Sequence, residues 1–294
     1  MNETSTIEIG KWTIESNYYE EKENYYSFPW KLDSFKKEKN IDNIKFYFDL
    51  KQYTLSHDIL DKNKIYDARK VFHNYNVFQD ENNDFIWRQD DLNKNCLLKY
   101  KINPSWDKIN LIYSSKNIDD KFLFEYLGRI FFYSVINYGG IVLHSVLMEY
   151  NDKGIIISAP SGIGKTTHAR MWRDKERALI INGDRALCRK IYGKWTGFGM
   201  PWCGTSGEYI NRDVEISAIV VLEQAKENSV EKLNILQAFN HMIPNITAPT
   251  WEKNLLSKAM DYLEDMVNEI PVYKLKCTPD IEAVELLKKE IDKL

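Results

Sequence analysis

The segment from residue 155 to residue 172, IIISAPSGIGKTTHARMW, constrains the fold of this chain more than any other segment. Three β-branched residues at its start predict a short buried strand. The residues that follow, up to Gly164, include Pro160 and two glycines and predict a loop. From Lys165 onward the pattern favours a helix. A strand, a glycine-containing loop, Gly-Lys-Thr and a helix are together the P-loop arrangement, which binds the phosphates of a nucleotide.

Such a loop binds anions for a physical reason. Glycines let successive backbone N–H groups point into one concave site, and the helix N-terminus adds its positive dipole end. Lys165 is expected to reach the outer phosphates of ATP, and the hydroxyl of Thr166 is expected to bind Mg²⁺. The predicted nucleotide-binding residues are Ala159, Pro160, Ser161, Gly162, Ile163, Gly164, Lys165, Thr166 and Thr167.

Ala159 stands where the P-loop pattern has its first glycine. Alanine adopts most loop conformations except those with positive φ, so we expect the loop to form. The alternative is an incidental Gly-Lys-Thr in an ordinary turn, and the flanking strand and helix disfavour it.

Composition excludes several classes of protein. Of the 294 residues, 44% are hydrophobic, which is enough for a large core or two domains, and the net charge of −3 indicates neither nucleic acid nor an anionic membrane as a partner. No window approaches the ~18 to 20 apolar residues of a membrane span, and the first residues lack the pattern of a signal peptide. The four cysteines are widely spaced, which disfavours disulfides and a zinc site. We therefore expect a cytoplasmic protein.

Residues 1–115 have the pattern of a β-rich domain. Short apolar runs separated by turn-forming clusters predict a mostly antiparallel sheet. The predicted strands are residues 45–50, 70–78, 85–89, 96–101 and 110–115. The aromatic residues of this part are interpreted as core or sheet-face residues; examples are Tyr18, Tyr19, Tyr25, Tyr26 and Trp30. His57 and His73 have no partners at metal-ligand spacing.

Residues 116–294 predict a second domain, in which strands and helices are mixed. A helical period runs from 119 to 138, and a strand at 141–150 turns back as a hairpin into the P-loop strand. Further strands are predicted before Asp184, at 215–225 and at 271–277, and helices fill most of the C-terminal part. The predicted fold class is therefore α/β (α+β): an N-terminal mostly β domain, then a P-loop domain with a mixed sheet and C-terminal helices. Because Asp184 follows a strand, it is expected to offer a carboxylate to Mg²⁺.

The motifs of the second domain, in their order, resemble the HPr kinase family of the phosphoenolpyruvate-carboxykinase-like P-loop fold. His144 lies where that family has a histidine on the strand before the P-loop, and Asp184 lies where it has an Asp-Asp pair. The segments MPWCGT and PVYKLKCTPD resemble a divergent branch, the HPr-kinase-like proteins found with ribosomally made peptide natural products. The resemblance implies an ATP- and Mg²⁺-dependent kinase. It implies His144, Lys165 and Asp184 as catalytic residues and Thr166 and Asp184 as metal ligands.

Two positions depart from the pattern of that family. Ser145 follows His144 where the family has glycine, and Gly183 replaces the first aspartate of the pair. A single carboxylate and His144 would then share the work of metal binding and proton acceptance. The family's HPr-binding sequence is missing, so HPr itself is not the expected substrate.

The predicted reaction is phosphate transfer to a serine or another hydroxyl of a peptide, with a ribosomal natural-product precursor as one candidate. One alternative is a kinase of a small molecule such as free serine. Another is a nucleotide-binding regulatory module that does not turn over, suggested by the loss of the Asp-Asp pair. A switch-type NTPase has no support, because no DxxG follows the strand before Asp184. HPr kinases assemble as hexamers, so a homo-oligomer is left open.

Several residues near the motifs have two interpretations. One segment either lines the acceptor site or forms a turn with a buried tryptophan; it consists of Trp202, Cys203, Gly204 and Thr205. Candidates for stabilising the transferred phosphate are Arg185, Arg189 and Arg212. We expect His168 and His241 to pack in the core or to face solvent.

Overall fold

The structure, a computed structural model, describes residues 5–16, 32–37, 44–52, 63–68, 75–93, 95–113 and 120–294. Tyr18, Tyr19, Tyr25, Tyr26, Trp30, His57 and His73 lie outside the described residues, as does the domain boundary predicted after residue 115. By its internal contacts the chain divides into two compact units, Met1–Ser134 and Val135–Leu294.

The first unit is built on a sheet of eight strands among the described residues, in the order β1-β2-β3-β8-β7-β6-β5-β4. The strands are β1 (Ser5–Ile9), β2 (Trp12–Ser16), β3 (Ile44–Gln52), β4 (Lys64–Asp67), β5 (Tyr75–Gln79), β6 (Phe85–Asp90), β7 (Cys96–Ile102) and β8 (Lys108–Tyr113). Strand β3 is parallel to both of its neighbours, and the other five pairs are antiparallel. The predicted mostly antiparallel sheet is therefore confirmed, although the sequence pattern missed β1, β2 and β4.

Helix α1 (Asp120–Ser134) packs on this sheet. The hydroxyl of Tyr126 donates to Oε1 of Gln89 at 2.9 Å, and the ring of Tyr133 stacks on Trp87 with 6.1 Å between centroids. The helix that the sequence predicted for the second domain therefore belongs, by its contacts, to the first unit. Its last predicted turn is a 3-10 helix (Val135–Tyr138) at the start of the second unit.

The second unit contains a mixed sheet of nine strands within residues 135–294, all of which are described. Its path is β12-β10-β11-β15-β14-β13-β9, and β17 pairs with β15 and β16. The strands are β9 (Gly140–Leu143), β10 (Ser145–Tyr150), β11 (Lys153–Ser158), β12 (Leu179–Asn182), β13 (Ala186–Ile191), β14 (Lys194–Phe198), β15 (Asp213–Gln224), β16 (Ser229–Lys232) and β17 (Val272–Cys277). Strand β15 is parallel to β11 and β17, and the remaining pairs are antiparallel.

The helices of the second unit are α2 (Lys165–Glu176), α3 (Ile235–Met242), α4 (Lys253–Glu269) and α5 (Ile281–Ile291). Short 3-10 helices also occur at Asp33–Phe35 in the first unit and at Ile243–Asn245 in the second. These elements confirm the predicted fold class, a β-rich first part followed by a mixed sheet with C-terminal helices. Among the described residues, no helix combines the length and the apolar character that crossing a membrane requires.

The strand predicted at 141–150 is in fact two strands, and this prediction was wrong in one respect. The apolar pattern is continuous, but β9 pairs with β13 whereas β10 pairs with β11 and β12. The chain changes partners at His144, whose N–H donates to the carbonyl of Asn245 at 2.7 Å. The predicted hairpin into the following strand is confirmed as β10 and β11, which are joined by Asn151 and Asp152 with positive φ.

Helices α2 and α5 cover one face of this sheet. The side chain of Trp172 on α2 is fully buried in a cluster with Ile155 and Ile157 of β11 and Leu287 of α5. Burying apolar side chains of this size contributes about 1.5–3 kcal/mol each. This packing fixes the start of α2 directly after the end of β11.

Candidate functional site

The glycine loop, residues 159–164, joins β11 to α2. Gly164 precedes the first residue of α2 with φ of 115°, and Gly162 has φ of 83°. L side chains rarely adopt these angles, so glycine is required at both positions. Ala159 is buried and is not among the residues with positive φ. This explains why alanine is accommodated where the P-loop pattern has glycine.

Lys165, the first residue of α2, bends back over the loop. Its Nζ donates to the carbonyl of Ala159 at 2.9 Å, and its side chain is buried. Burial lowers the pKa of this ammonium group, and the nearby carboxylate of Asp184 partly opposes that shift. The loop therefore holds a buried cation that already has a hydrogen-bond acceptor.

Asp184 lies beside the first turn of α2. The hydroxyl of Thr166 donates to the carbonyl of Gly183 at 3.4 Å, which joins that turn to the end of β12. The Nε2 atom of His144 is 3.3 Å from Oδ1 of Asp184, and Nε of Arg185 is 3.5 Å from Oδ2. An imidazole, a carboxylate and a guanidinium thus meet next to the glycine loop.

The imidazole of His144 is about half-buried in this group. Burial lowers its pKa below 6.5; Lys165 and Arg185 lower it further, and Asp184 acts in the opposite direction. The neutral form of the imidazole is therefore favoured at neutral pH, and this is the form that accepts a proton.

Asn182, which the sequence analysis did not single out, holds the segment that carries Asp184. It is fully buried, and its Nδ2 donates to the carbonyls of Met200 and Trp202 at 2.9 and 3.1 Å. Its Oδ1 accepts from the N–H groups of Asp184 and Arg185 at 3.0 and 2.8 Å. The only signal in the sequence was an amide at the end of an apolar strand, and such a signal is not specific.

The loop after β14 closes over Asp184. A Cβ atom at Gly204 would lie 2.6 Å from Cγ of Asp184, so only a residue without a side chain fits this approach. Trp202 and Cys203 are buried, whereas Thr205 is exposed. The tryptophan is therefore buried, as one interpretation expected, and the glycine packs against Asp184. That the segment lines an acceptor site stays a prediction.

The other arginines lie in different surroundings. Arg212 donates through Nη2 to Oε1 of Glu149 at 2.6 Å, and Arg189 is about half-buried on β13, where burial lowers its pKa. Two arginines that the sequence analysis did not consider, Arg170 and Arg173 on α2, pair with Glu208 at 3.0 and 2.8 Å. Glu208 in turn accepts through its carbonyl from the N–H of Gly183 at 2.9 Å.

His168 lies on α2 and is buried, and His241 is exposed. Nε2 of His168 accepts from Nε1 of Trp172 at 3.1 Å. Burial lowers the pKa of His168 to about 4, so the imidazole is neutral at neutral pH.

The structure thus places Lys165, Thr166, Asp184 and His144 in one small region, with Arg185 beside them. The roles that the sequence analysis assigned to these residues stay predictions.

A family model described as SynChlorMet cassette protein ScmC matches residues 123–282, which is more than half of the chain. The comparison with curated proteins found no match. Among solved structures, the HPr(Ser) kinase/phosphatase from Coxiella burnetii is similar over 52% of this chain and 97% of its own, at 11% identity and a TM-score of 0.33. A likeness at this level does not bear on activity.

Proposed function

The chain belongs to the ScmC family of SynChlorMet cassette proteins, and from the geometry around its glycine loop we propose that it is an ATP- and Mg²⁺-dependent kinase acting on a hydroxyl of a peptide. The observation that carries the proposal is the contact of His144 with Asp184, at 3.3 Å, beside Lys165 and Thr166 at the start of α2. Phosphate binding, metal binding and acceptance of a proton could all take place within this group.

Phosphate binding is the task of the glycine loop. Backbone N–H groups at the start of α2 and the ammonium of Lys165 are suited to hold phosphate oxygens. Lys165 would exchange its present acceptor, the carbonyl of Ala159, for an oxygen of the nucleotide. This exchange replaces a neutral acceptor by a charged one, and hydrogen bonds between two charged groups are the stronger kind.

Metal binding falls to Thr166 and Asp184. A hydroxyl and a carboxylate are oxygen ligands of the kind that Mg²⁺ prefers, and phosphates and water usually complete its coordination. When bound, the ion supplies neutralisation of the charge on the phosphates.

Asp184 and His144 also lie where an acceptor hydroxyl would lose its proton. In the transfer, a bond forms between the acceptor oxygen and the terminal phosphorus, and the bond from that phosphorus to its bridging oxygen breaks. The proton of the hydroxyl passes to the carboxylate or to the neutral imidazole. Arg185, 3.5 Å from Asp184, is the arginine best placed to meet the transferred phosphate.

A peptide is our proposed acceptor because the first unit adds an eight-stranded sheet beyond what nucleotide binding requires. A small-molecule hydroxyl, such as that of free serine, is the alternative acceptor. We keep the cytoplasm as the proposed location of the reaction.

Gly183 supports a second candidate function, a regulatory module that binds nucleotide without turnover. A Cβ atom at this position would lie 2.3 Å from Oγ of Ser206, so no second carboxylate fits beside Asp184. If one carboxylate cannot serve both the metal and the acceptor, the site would bind ATP and release no ADP.

The test is an assay with γ-labelled ATP, Mg²⁺ and serine-containing peptides, including any short peptide encoded beside this gene. We expect label on a peptide hydroxyl and a loss of about 100-fold or more in rate for Lys165→Met and for Asp184→Asn. Lys175→Met is the matched control, because Lys175 lies on the same helix and pairs with Glu285 at the surface.

Two other outcomes are informative. Tight ATP binding without ADP release or labelled product would favour the regulatory module. Label on free serine, and on none of the peptides, would favour the small-molecule kinase. The kinase proposal is wrong if no acceptor is labelled and neither substitution affects nucleotide binding.

A further inference from the structure

A cavity of about 410 Å³ lies beside the glycine loop, between the first turns of α2 and the C-terminal ends of β15 and β17. Its volume falls within the range of small-ligand sites, about 300–1,000 Å³. Apolar parts of its wall come from Ile163, Met171, Leu222, Cys277 and Pro279. Gln224 and Thr278 contribute polar groups to the wall.

We propose that this cavity binds the base and ribose of the nucleotide whose phosphates occupy the glycine loop. The inference rests on the proposed function and adds to it the position of the nucleoside and the residues that contact it.

The two faces of α2 give the direction of the nucleotide. Thr166 faces Gly183, and Arg170 and Arg173, one and two turns further along, face Glu208. Thr167 and Met171 line the cavity instead. At about 100° per residue, these two sets lie on clearly different faces of the helix.

The outer phosphate must lie on the side of Thr166, because the acceptor hydroxyl reaches it from His144 and Asp184. The other end of the triphosphate therefore leaves the loop on the side of the cavity. An acceptor bound in the cavity could not react, because it would lie on a different face of α2 from Asp184.

The walls of the cavity are held in place by hydrogen bonds. Nε2 of Gln224 donates to the carbonyl of Ile163 at 3.2 Å, which ties the glycine loop to the end of β15. The N–H and the hydroxyl of Thr278 both donate to Oδ1 of Asn228, at 2.9 and 3.2 Å. A preformed cavity with both apolar and polar groups in its wall suits a heteroaromatic base, because little ordering is needed on binding.

Cys277 allows a direct test in the full-length protein. It lines the cavity and is half-buried, whereas Cys96 is a half-buried cysteine in the first unit and serves as the control. Both would be alkylated with iodoacetamide and followed by mass spectrometry, at mildly alkaline pH because burial raises the pKa of the Cys277 thiol. Binding of Mg-ATP and of tripolyphosphate would be measured separately by calorimetry.

At ten times its Kd, Mg-ATP is expected to slow the alkylation of Cys277 by about tenfold and to leave Cys96 unchanged. Tripolyphosphate, which has no nucleoside, is expected to leave both rates unchanged at the same saturation. If ATP binds without protecting Cys277, or if tripolyphosphate protects it equally, the cavity is not the nucleoside site although the proposed function stands. If neither ligand binds, the proposed function and this inference both fail.

A second variant tests the same point by binding alone. Cys277→Phe would place a large side chain in the cavity. We expect it to weaken the binding of ATP about tenfold or more, while the affinity for tripolyphosphate stays the same. The unchanged tripolyphosphate affinity would also show that the variant is folded. Cys96→Phe is the matched control, and an equal loss of ATP affinity in both variants would overturn the inference.

Discussion

Position 183 has no space for a side chain. A Cβ atom there would lie 2.3 Å from Oγ and 2.6 Å from Cβ of Ser206, closer than such contacts occur in proteins. Ser206 is itself fixed, because its hydroxyl donates to the carbonyl of Cys203 at 2.6 Å and accepts from the N–H of Glu208 at 3.3 Å. The packing of the neighbouring loop thus leaves no space for a second carboxylate beside Asp184.

Gly183→Ala is accordingly expected to lower the free energy of unfolding by about 1–3 kcal/mol, because one added carbon would collide with Ser206. Ser206→Gly removes both colliding atoms, so the alanine should cost much less in that background. Urea denaturation of the four proteins, namely the parent, both single variants and the double variant, measures the difference. An equal cost of the alanine in both backgrounds would show that the collision with Ser206 is not the cause.

Single residues also show how far the sequence could predict the site. Lys165 and Thr166 follow from spacing, because a glycine loop between a strand and a helix has a known chemistry. Asp184 was expected from its position directly after a strand. Asn182 could not be found in this way. Two of its four hydrogen bonds are donated to the carbonyls of Met200 and Trp202, about twenty residues further along the chain, and the other two are accepted from N–H groups two and three residues away. No spacing rule connects a lone amide to such partners.

Within helix α2, His168 and Trp172 form a pair one turn apart. Nε1 of Trp172 donates to Nε2 of His168, and both side chains are buried. A charged imidazole would lose this acceptor and would have to be buried with its charge. Burial accordingly lowers the pKa of His168 to about 4.

This pair predicts a pH dependence of stability in the absence of nucleotide and metal. The unfolded chain takes up a proton near pH 6.5 and the folded chain only near pH 4, so the unfolded state binds more protons between these values. The free energy of unfolding should therefore fall as the pH is lowered from 6.5 to 4, by on the order of 3 kcal/mol from this residue.

His168→Gln is the matched variant, since its amide oxygen can still accept from Trp172 and does not titrate. Denaturation at a series of pH values should give a smaller slope for the variant between pH 4 and pH 6.5. Equal slopes would show that His168 does not titrate differently in the two states.

At the level of strands, the pattern of apolar residues predicted where most strands of the second unit lie. It did not predict where one strand ends and the next begins when only the pairing partner changes. The strands β11 and β15 follow from their β-branched runs, and β17 was predicted as a short segment between two helical patterns. Gly154 and the turn before it mark the hairpin. The break at His144 was missed because the apolar residues on both sides belong to the same pattern. Only the change of pairing partners, β13 for one half and β11 with β12 for the other, separates them.

In the whole molecule, each of the two units has its own sheet and its own buried core. The boundary between them could not be predicted from composition and the pattern of apolar residues alone. Helix α1 has the same amphipathic pattern as the helices of the second unit, but its aromatic side chains pack on Trp87 of the first sheet.

Because the glycine loop and Asp184 both lie in the second unit, nucleotide should protect that unit selectively. With Mg-ATP at ten times its Kd, we expect backbone amides of residues 159–168 and 182–185 to exchange with deuterium about tenfold more slowly. Amides in strands β5 to β8 of the first unit should exchange at unchanged rates. Hydrogen-exchange mass spectrometry measures both, and equal protection of the two sets would show that the ligand acts on the first sheet as well.

The close packing of Gly183 against Ser206 has a consequence for how such a chain can evolve. A glycine codon that ends in a pyrimidine becomes an aspartate codon through a single base change, so for such a codon the second acid is one mutation away in the gene. In the folded protein the new side chain would collide with Ser206. The mutation would therefore be selected against for its loss of stability, whatever it added to activity. With serine at 206, a second acid at position 183 requires the loop to change first. The site is therefore held to one carboxylate by the order in which mutations can be accepted.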